Sequence, residues 1–307
     1  MAQSTSKSRG NSGGNRRSRG RGRQNMRHAE RPLSAIAPSE MLHGPLTRID
    51  DTRRRNHRWP MLAYLGFGVI FGLVGALICL PISMVAFIPL GVLITLFVAW
   101  LLSKWAPGGP GRVIGGASVQ LGQLPRVDVL LDALSTSFGV MTPGITILDD
   151  PVRNAGIYGN RMAPTIVVTT GLLSSLDLIE LEGVLAHLLA HERLDAVQRG
   201  SAGAGLALLL GPVGQKASVA HRLTGRNRLW EADEIAVLTV RYPKGLAAAL
   251  LKIENGPLPE ANSFFASRYY ASLRWLFIDP SILRRSDEEI IGDLDATSVR
   301  RRALNER

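Results

Sequence analysis

Two histidines, His187 and His191, lie four positions apart in an otherwise apolar run, Leu181-Glu182-Gly183-Val184-Leu185-Ala186-His187-Leu188-Leu189-Ala190-His191. In a helix, at about 100° per residue, they fall about 40° apart on one face, one turn removed. Two imidazoles so placed can reach a single zinc ion. On its own a His-x-x-x-His pair is a weak signal, because two polar residues on a leucine-packed helix have the same spacing.

The elements that must position the pair are legible around it. A long helix begins near Asp177, whose side chain can cap the first turn while Glu180 reaches back to the Asp177 amide. Helical spacing also fits Val127 to Phe138, Trp230 to Thr239 and Leu246 to Glu254. Ile145-Thr146-Ile147-Leu148 and Thr165 to Thr170 are short β-rich runs, the first preceded by Pro143-Gly144 and the second ended by Gly171. The segment Ser201 to Gly214 is apolar but too short to span a bilayer, and reads as a core helix.

Ahead of this domain, Met61 to Ser103 contains no charged residue. One helix of that length would reach roughly 65 Å, about twice the hydrocarbon thickness of a bilayer. Two spans joined at Pro81 fit better, near residues 61–80 and 83–103, within a transmembrane hairpin of residues 59–105. Trp59, Trp100 and Trp105 sit at its ends, where amphipathic rings prefer the interface. Arg53, Arg54, Arg55 and Arg58 precede the first span, and Lys104 and Arg112 follow the second, so the positive-inside rule predicts both termini and the C-terminal domain in the cytoplasm, at the plasma membrane. Residues 106–118, rich in Pro and Gly, read as a linker, and residues 119–307 as the folded domain.

The formal charge of +11 is unevenly spread. Residues 1–58 hold 14 Lys/Arg against 4 Asp/Glu, leaving the remainder close to neutral. That segment reads as a disordered basic tail, with too little apolar surface to offset chain entropy. It is too long and charged for a secretory signal, and no small-residue cleavage site follows the apolar run. It contains no aromatic residue to stack on bases, so contact with anionic lipids is expected of it rather than nucleic-acid binding. The only cysteine, Cys79, excludes an intramolecular disulfide.

Several stretches together resemble the HtpX-type membrane zinc metallopeptidases. Asp150-Pro151-Val152-Arg153-Asn154-Ala155 is similar to the family's segment ahead of its active-site edge strand, and Thr169-Thr170-Gly171-Leu172-Leu173 to the strand exit. Leu181 to His191 resembles the zinc helix. Glu231-Ala232-Asp233, with Ala236 and then Pro243 to Ile253, resembles the second zinc-binding helix and its continuation, and Leu276-Phe277-Ile278-Asp279-Pro280 a C-terminal family segment. The likeness covers roughly residues 125–307. It implies an α+β, mainly helical, zincin-like domain with a small β-sheet behind the membrane hairpin.

The departures from the family bear on function. The family's zinc helix reads His-Glu-x-x-His, the Glu being the general base that takes a proton from zinc-bound water; here that position is Leu188. The family's third zinc ligand is a Glu four residues before the matched Asp233; here it is Leu229. Glu231 lies two residues on, about 200° around the helix, and should point away. The resemblance thus leaves His187 and His191 as metal ligands and Asp233 as a carboxylate that could hydrogen-bond a histidine. Glu192, Asp195 and His221 are the residues from which a working site would have to be rebuilt.

The expected protein is therefore a pseudopeptidase, holding membrane-protein or peptide clients without cutting them. An extended peptide could add to the edge strand near Ile157. The alternative is an active zinc endopeptidase in membrane-protein quality control with a rearranged site.

Overall fold

In a computed structural model, residues 45–79, 87–119, 122–225, 227–282 and 297–306 are described. The expected turn at Pro81, residues 80–86, and most of the basic tail, residues 1–44, lie outside them. Two long helices, each with a long apolar run, lead the described residues, α1 (Pro45–Cys79) and α2 (Phe87–Trp105). Met61, Leu62, Ile70, Leu73, Leu77, Ile88, Leu93 and Phe97 are all more than half exposed, so these are not core helices of a soluble protein. They are long and apolar enough to cross a membrane.

The pair meets along small residues. A Cβ on Gly72 would stand 2.1 Å from Thr95 Oγ1 and 2.5 Å from the Gly91 carbonyl oxygen, and one on Gly68 would stand 2.4 Å from the Thr95 carbonyl oxygen. Gly68, Gly72 and Ala76 recur every fourth residue, the spacing that lets two apolar helices approach backbone to backbone.

The boundary expected at residue 58 is corrected: α1 passes through Pro60 without a break. Residues before the apolar run are held in helix by the domain. Asn56 Nδ2 donates to the Leu194 carbonyl, Arg53 pairs with Asp195 and Arg55 with Glu231. The linker of residues 106–118 is corrected as well. A 3-10 turn (Ala106–Gly108) and the short α3 (Gly109–Ile114) form a packed corner with Ala106, Pro107, Gly109, Pro110 and Ile114 buried. Its prolines and glycines make close packing rather than slack: a Cβ on Gly205 would fall 2.2 Å from the Ala106 carbonyl oxygen.

The sheet has the order β1-β2-β4-β3, from β1 (Ala117–Val119), β2 (Gly144–Leu148), β3 (Ala155–Asn160) and β4 (Ala163–Thr169). Strands β2 and β4 run parallel and the outer pairs antiparallel. The β3–β4 hairpin turns at Arg161-Met162, where Asn160 Oδ1 accepts from the amides of Met162 and Ala163. The Thr169 hydroxyl ends β4 by donating to the Asn154 carbonyl and accepting from the amide of Leu172.

Helices pack on and beyond the sheet: α4 (Pro125–Phe138), α5 (Thr170–Ser175), α6 (Leu178–Arg193), α7 (Ala196–Leu209), α8 (Pro212–Gln215), α9 (Ala217–Thr224), α10 (Arg228–Val240), α11 (Pro243–Glu254), α12 (Tyr270–Leu273) and α13 (Thr297–Asn305). Helix α6 starts with the capping box: Glu180 N donates to Asp177 Oδ1 and Asp177 N to Glu180 Oε2, each at 2.9 Å. Leu181, Val184, Leu185, Leu188 and Leu189 then join the main core with residues of α4, β4 and α11. Ala202, Ala204, Leu206 and Ala207 of α7 are fully buried, which makes the apolar segment after Ser201 part of the core. The result is a mainly helical α+β domain with a small four-stranded sheet behind two long apolar helices.

Candidate metal centre

Helices α6 and α10 cross closely and bring their polar residues together inside the core. His187 and His191 are 0% and 1% exposed. Their rings stand edge to face with centroids 4.9 Å apart. His187 Nδ1 lies 2.7 Å from Asp233 Oδ1 of α10. Among the described residues, His187 Nε2 and His191 Nδ1 have no hydrogen-bond partner. Asp233 is in turn gripped by Arg300 of α13, with Nε 2.6 Å from Oδ2 and NH2 2.7 Å from Oδ1. Arg300 NH1 donates to the Ile278 carbonyl.

The electrostatics follow from burial and from two arginines. Burial lowers the pKa of His187, against the pull of Asp233, and Arg300 and Arg228 add to the lowering. His191 is driven well below the usual histidine value by burial and by Arg228, His187 and Arg300. Both imidazoles are therefore held neutral. Burial opposes the Asp233 carboxylate, but Arg300 and His187 outweigh it and hold the pKa at about 2.

The other predicted residues are placed apart from the pair or in apolar packing. Leu188 is fully buried in the main core, between neighbours from the sheet and helices. Leu229 packs with Ala207, Ala220 and Trp275. Glu192 lies in a separate cleft with Arg53, Arg161 and Asp195; burial and Asp195 raise its pKa to about 7 against Arg161 and Arg53. Asp195, the αL residue ahead of α7, pairs with Arg53 and Arg161. Glu231 pairs with Arg55 at 3.0 Å, turned from the histidines. The His221 ring stacks on Trp275, with centroids 4.2 Å apart.

Two imidazole nitrogens fit part of a zinc shell, but a catalytic zinc takes three protein ligands and a water. Among the described residues no group of three or more His, Cys, Asp or Glu side chains is arranged to hold a metal ion. The buried guanidinium of Arg300 already neutralises Asp233, and both arginines oppose a second cation beside the pair. The described residues therefore do not fit a catalytic zinc ion.

Sequence reasoning missed Arg300 and Arg228. Arg300 belongs to the run Arg300-Arg301-Arg302, which reads as a solvated face. Its only signal is that Thr297, Arg300 and Leu304, spaced by three and four, form the buried stripe of α13.

The edge strand is also closed off. The Ile278 amide donates to the Ala155 carbonyl, Gly156 bridges Phe277, and the Gly159 amide donates to Ser201 Oγ. The edge expected to accept an extended peptide is thus covered by the chain itself. Asn154 fixes that cover, with its Nδ2 donating to the Asp279 carbonyl and its Oδ1 accepting from the Asp279 amide.

Residues 123–229 match the model of peptidase family M48, a family that is typically zinc-dependent. The chain is 28% identical over 219 residues to a protease HtpX homolog of Dictyoglomus thermophilum, covering 58% of this chain and 72% of that one. It is 28% identical over 265 residues to a protease HtpX homolog of Ligilactobacillus salivarius, covering 71% of this chain and 88% of the other. A third protease HtpX homolog, from Halobacterium salinarum, is 30% identical over 125 residues, 41% of this chain and 42% of that one. With the α6 histidine pair set against Asp233 of α10 and two apolar helices ahead of the domain, this chain is similar to the protease HtpX homologs, and its residues 123–229 to peptidase family M48.

Proposed function

We propose that this chain is a pseudopeptidase, a membrane-anchored member of its family that holds membrane-protein or peptide clients without cutting them. The observation that carries the reading is the pair of leucines. The family's general-base position is Leu188 and its third-ligand position Leu229, and both side chains lie in apolar packing. Leucine can neither take a proton nor bind zinc, and loss of a general base alone costs roughly 10²–10⁴-fold in rate. Full burial of both histidines supports the same reading, because a scissile carbonyl needs a path to the metal. Glu192, the acidic residue nearest in sequence to the pair, lies instead in a separate cleft, beside Asp195 and the two arginines that pair with Asp195.

The hairpin anchors the domain with both termini in the cytoplasm, at the plasma membrane. Arg53, Arg54, Arg55 and Arg58 before the first apolar run, and Lys104 and Arg112 after the second, support that orientation. The basic tail adds contact with anionic lipids. With the β3 edge covered, clients are held elsewhere than by strand addition to it.

The test is proteolysis by the full chain in detergent, with casein and an unfolded membrane protein as substrates, beside His187→Ala. No cleavage above background in either protein is expected. Cleavage by the wild type that His187→Ala abolishes would overturn the proposal in favour of an active zinc endopeptidase with a rearranged site.

A further inference from the structure

A second polar site lies away from the histidine pair, where the base of α1 meets α7, α9 and the start of α10. It is a cleft of about 300 Å³. Among the described residues Arg55, Arg199, Arg222 and Arg228 line it, against a single carboxylate, Glu231. That carboxylate is already paired with Arg55.

Arg228 is the least satisfied of the four. Its side chain is buried at 5% exposure, and NH1 donates to the Trp275 carbonyl. Its Nε and NH2 have no hydrogen-bond partner among the described residues. A guanidinium does not give up its proton in a protein. A buried cation without a counter-charge is costly, so such a group calls for an anion. Burial and Arg199 both act against its charge.

Arg199 repeats the pattern more mildly. NH1 donates to Asn56 Oδ1, the guanidinium lies over the Trp59 ring, and Nε is buried without a hydrogen-bond partner among the described residues.

We infer that this cleft binds a phosphate group, held by the forks of Arg199, Arg222 and Arg228. Planar guanidinium forks match tetrahedral phosphate oxygens with paired, charge-assisted hydrogen bonds. The volume suits a phosphate with a short ester substituent.

The position favours a lipid headgroup as the source. Arg55 lies six residues before Met61, where the uncharged run begins. At 1.5 Å per residue that is about 9 Å, close to the depth of the headgroup layer when α1 crosses a bilayer. Trp59, between them, is a residue type that settles at this level.

The full-length protein tests this in two arms. In neutral detergent, the melting temperature is followed against inorganic phosphate, with chloride matched for ionic strength. In nanodiscs, it is compared in phosphatidylcholine with and without phosphatidylglycerol. Variants are Arg228→Met, Arg222→Gln and, as a control on general lipid attraction, Arg54→Gln, which is exposed and outside the cleft.

Stabilisation by either probe is expected, weakened about tenfold in affinity by Arg222→Gln and unchanged by Arg54→Gln, since a hydrogen bond to a charged group is worth about that factor. Response to phosphatidylglycerol alone makes the lipid the ligand. Response to inorganic phosphate makes it a free phosphate or a soluble ester. Arg222 is exposed, so its variant keeps the test valid even where Arg228→Met fails to fold. No stabilisation by either probe, or stabilisation that Arg222→Gln and Arg54→Gln change alike, overturns the inference.

Discussion

Arg300 of α13 grips Asp233 of α10 with two parallel hydrogen bonds of 2.6 and 2.7 Å, both groups buried. A carboxylate that can orient a histidine is here also the anchor of the C-terminal helix. Removing one member leaves the other charged and dry. Arg300→Met is expected to destabilise by about 3–5 kcal/mol. The double variant Arg300→Met/Asp233→Leu should recover most of that loss, since both charges leave together. Denaturant unfolding of the three proteins in one detergent checks the ordering. Equal losses in the single and double variants would mean that the unpaired Asp233 charge is not what destabilises Arg300→Met.

The same pair sets the acid limit. The Asp233 carboxyl, at about 2 when folded, lies below its unfolded value of 3.8. A depressed carboxyl stabilises fully above the unfolded value and loses that contribution as pH falls through the folded one. Between about pH 4 and 2 the wild type should therefore lose stability more steeply than Arg300→Met/Asp233→Leu. Melting temperatures across that window decide it, and parallel slopes would remove Asp233 as the cause.

Much of this arrangement was legible in the residues. Asp177 and Glu180 announce the start of α6, and the alternating β-branched runs around Ile145 and Ile166 mark the two central strands. The helical spacing places His187 and His191 on one face. What the chain did not disclose is tertiary. Asn56, Arg53 and Arg55 extend α1 below the apolar run only because Leu194, Asp195 and Glu231 meet them. The Pro/Gly stretch after Trp105 looks like slack until Gly205 brings α7 against it. Arg300 turns inward from a run of three arginines, and no local rule selects which of three like charges will be buried. The cover over β3 pairs residues more than a hundred positions apart, beyond the reach of any periodicity.

The pair of apolar helices offers a prediction independent of the domain. Gly72 faces Thr95 Oγ1 and the Gly91 carbonyl with no space for a side chain. Thr95 Oγ1 is itself donating to that carbonyl, at 2.8 Å. Gly72→Leu should force the helices apart at a cost of about 1–3 kcal/mol, as overpacking does. Gly66, whose added Cβ would meet nothing within 4 Å, should accept the same change with little effect. Thermal unfolding of both variants in detergent makes the comparison, and equal effects would mean that the small-residue face does not hold the pair.

Zinc content separates the two readings of the histidine pair most directly. The wild type offers two imidazole nitrogens and an apolar Leu229 where the family has its third ligand, so purified protein should carry zinc well below one ion per chain. Leu229→Glu restores the missing donor at the cost of burying a carboxyl among Ala207, Ala220 and Trp275. It should lower the melting temperature without metal, because that carboxyl has no partner there. Added zinc should then raise the melting temperature of Leu229→Glu, by about 2.7 kcal/mol of linkage at a hundredfold excess over Kd, and leave the wild type unmoved. The rise should vanish in Leu229→Glu/His187→Ala. One zinc per chain in the wild type, lost in His187→Ala, would instead mean that this protein has recruited a third ligand from a position other than Leu229, and peptidase chemistry would return as the leading account of the site.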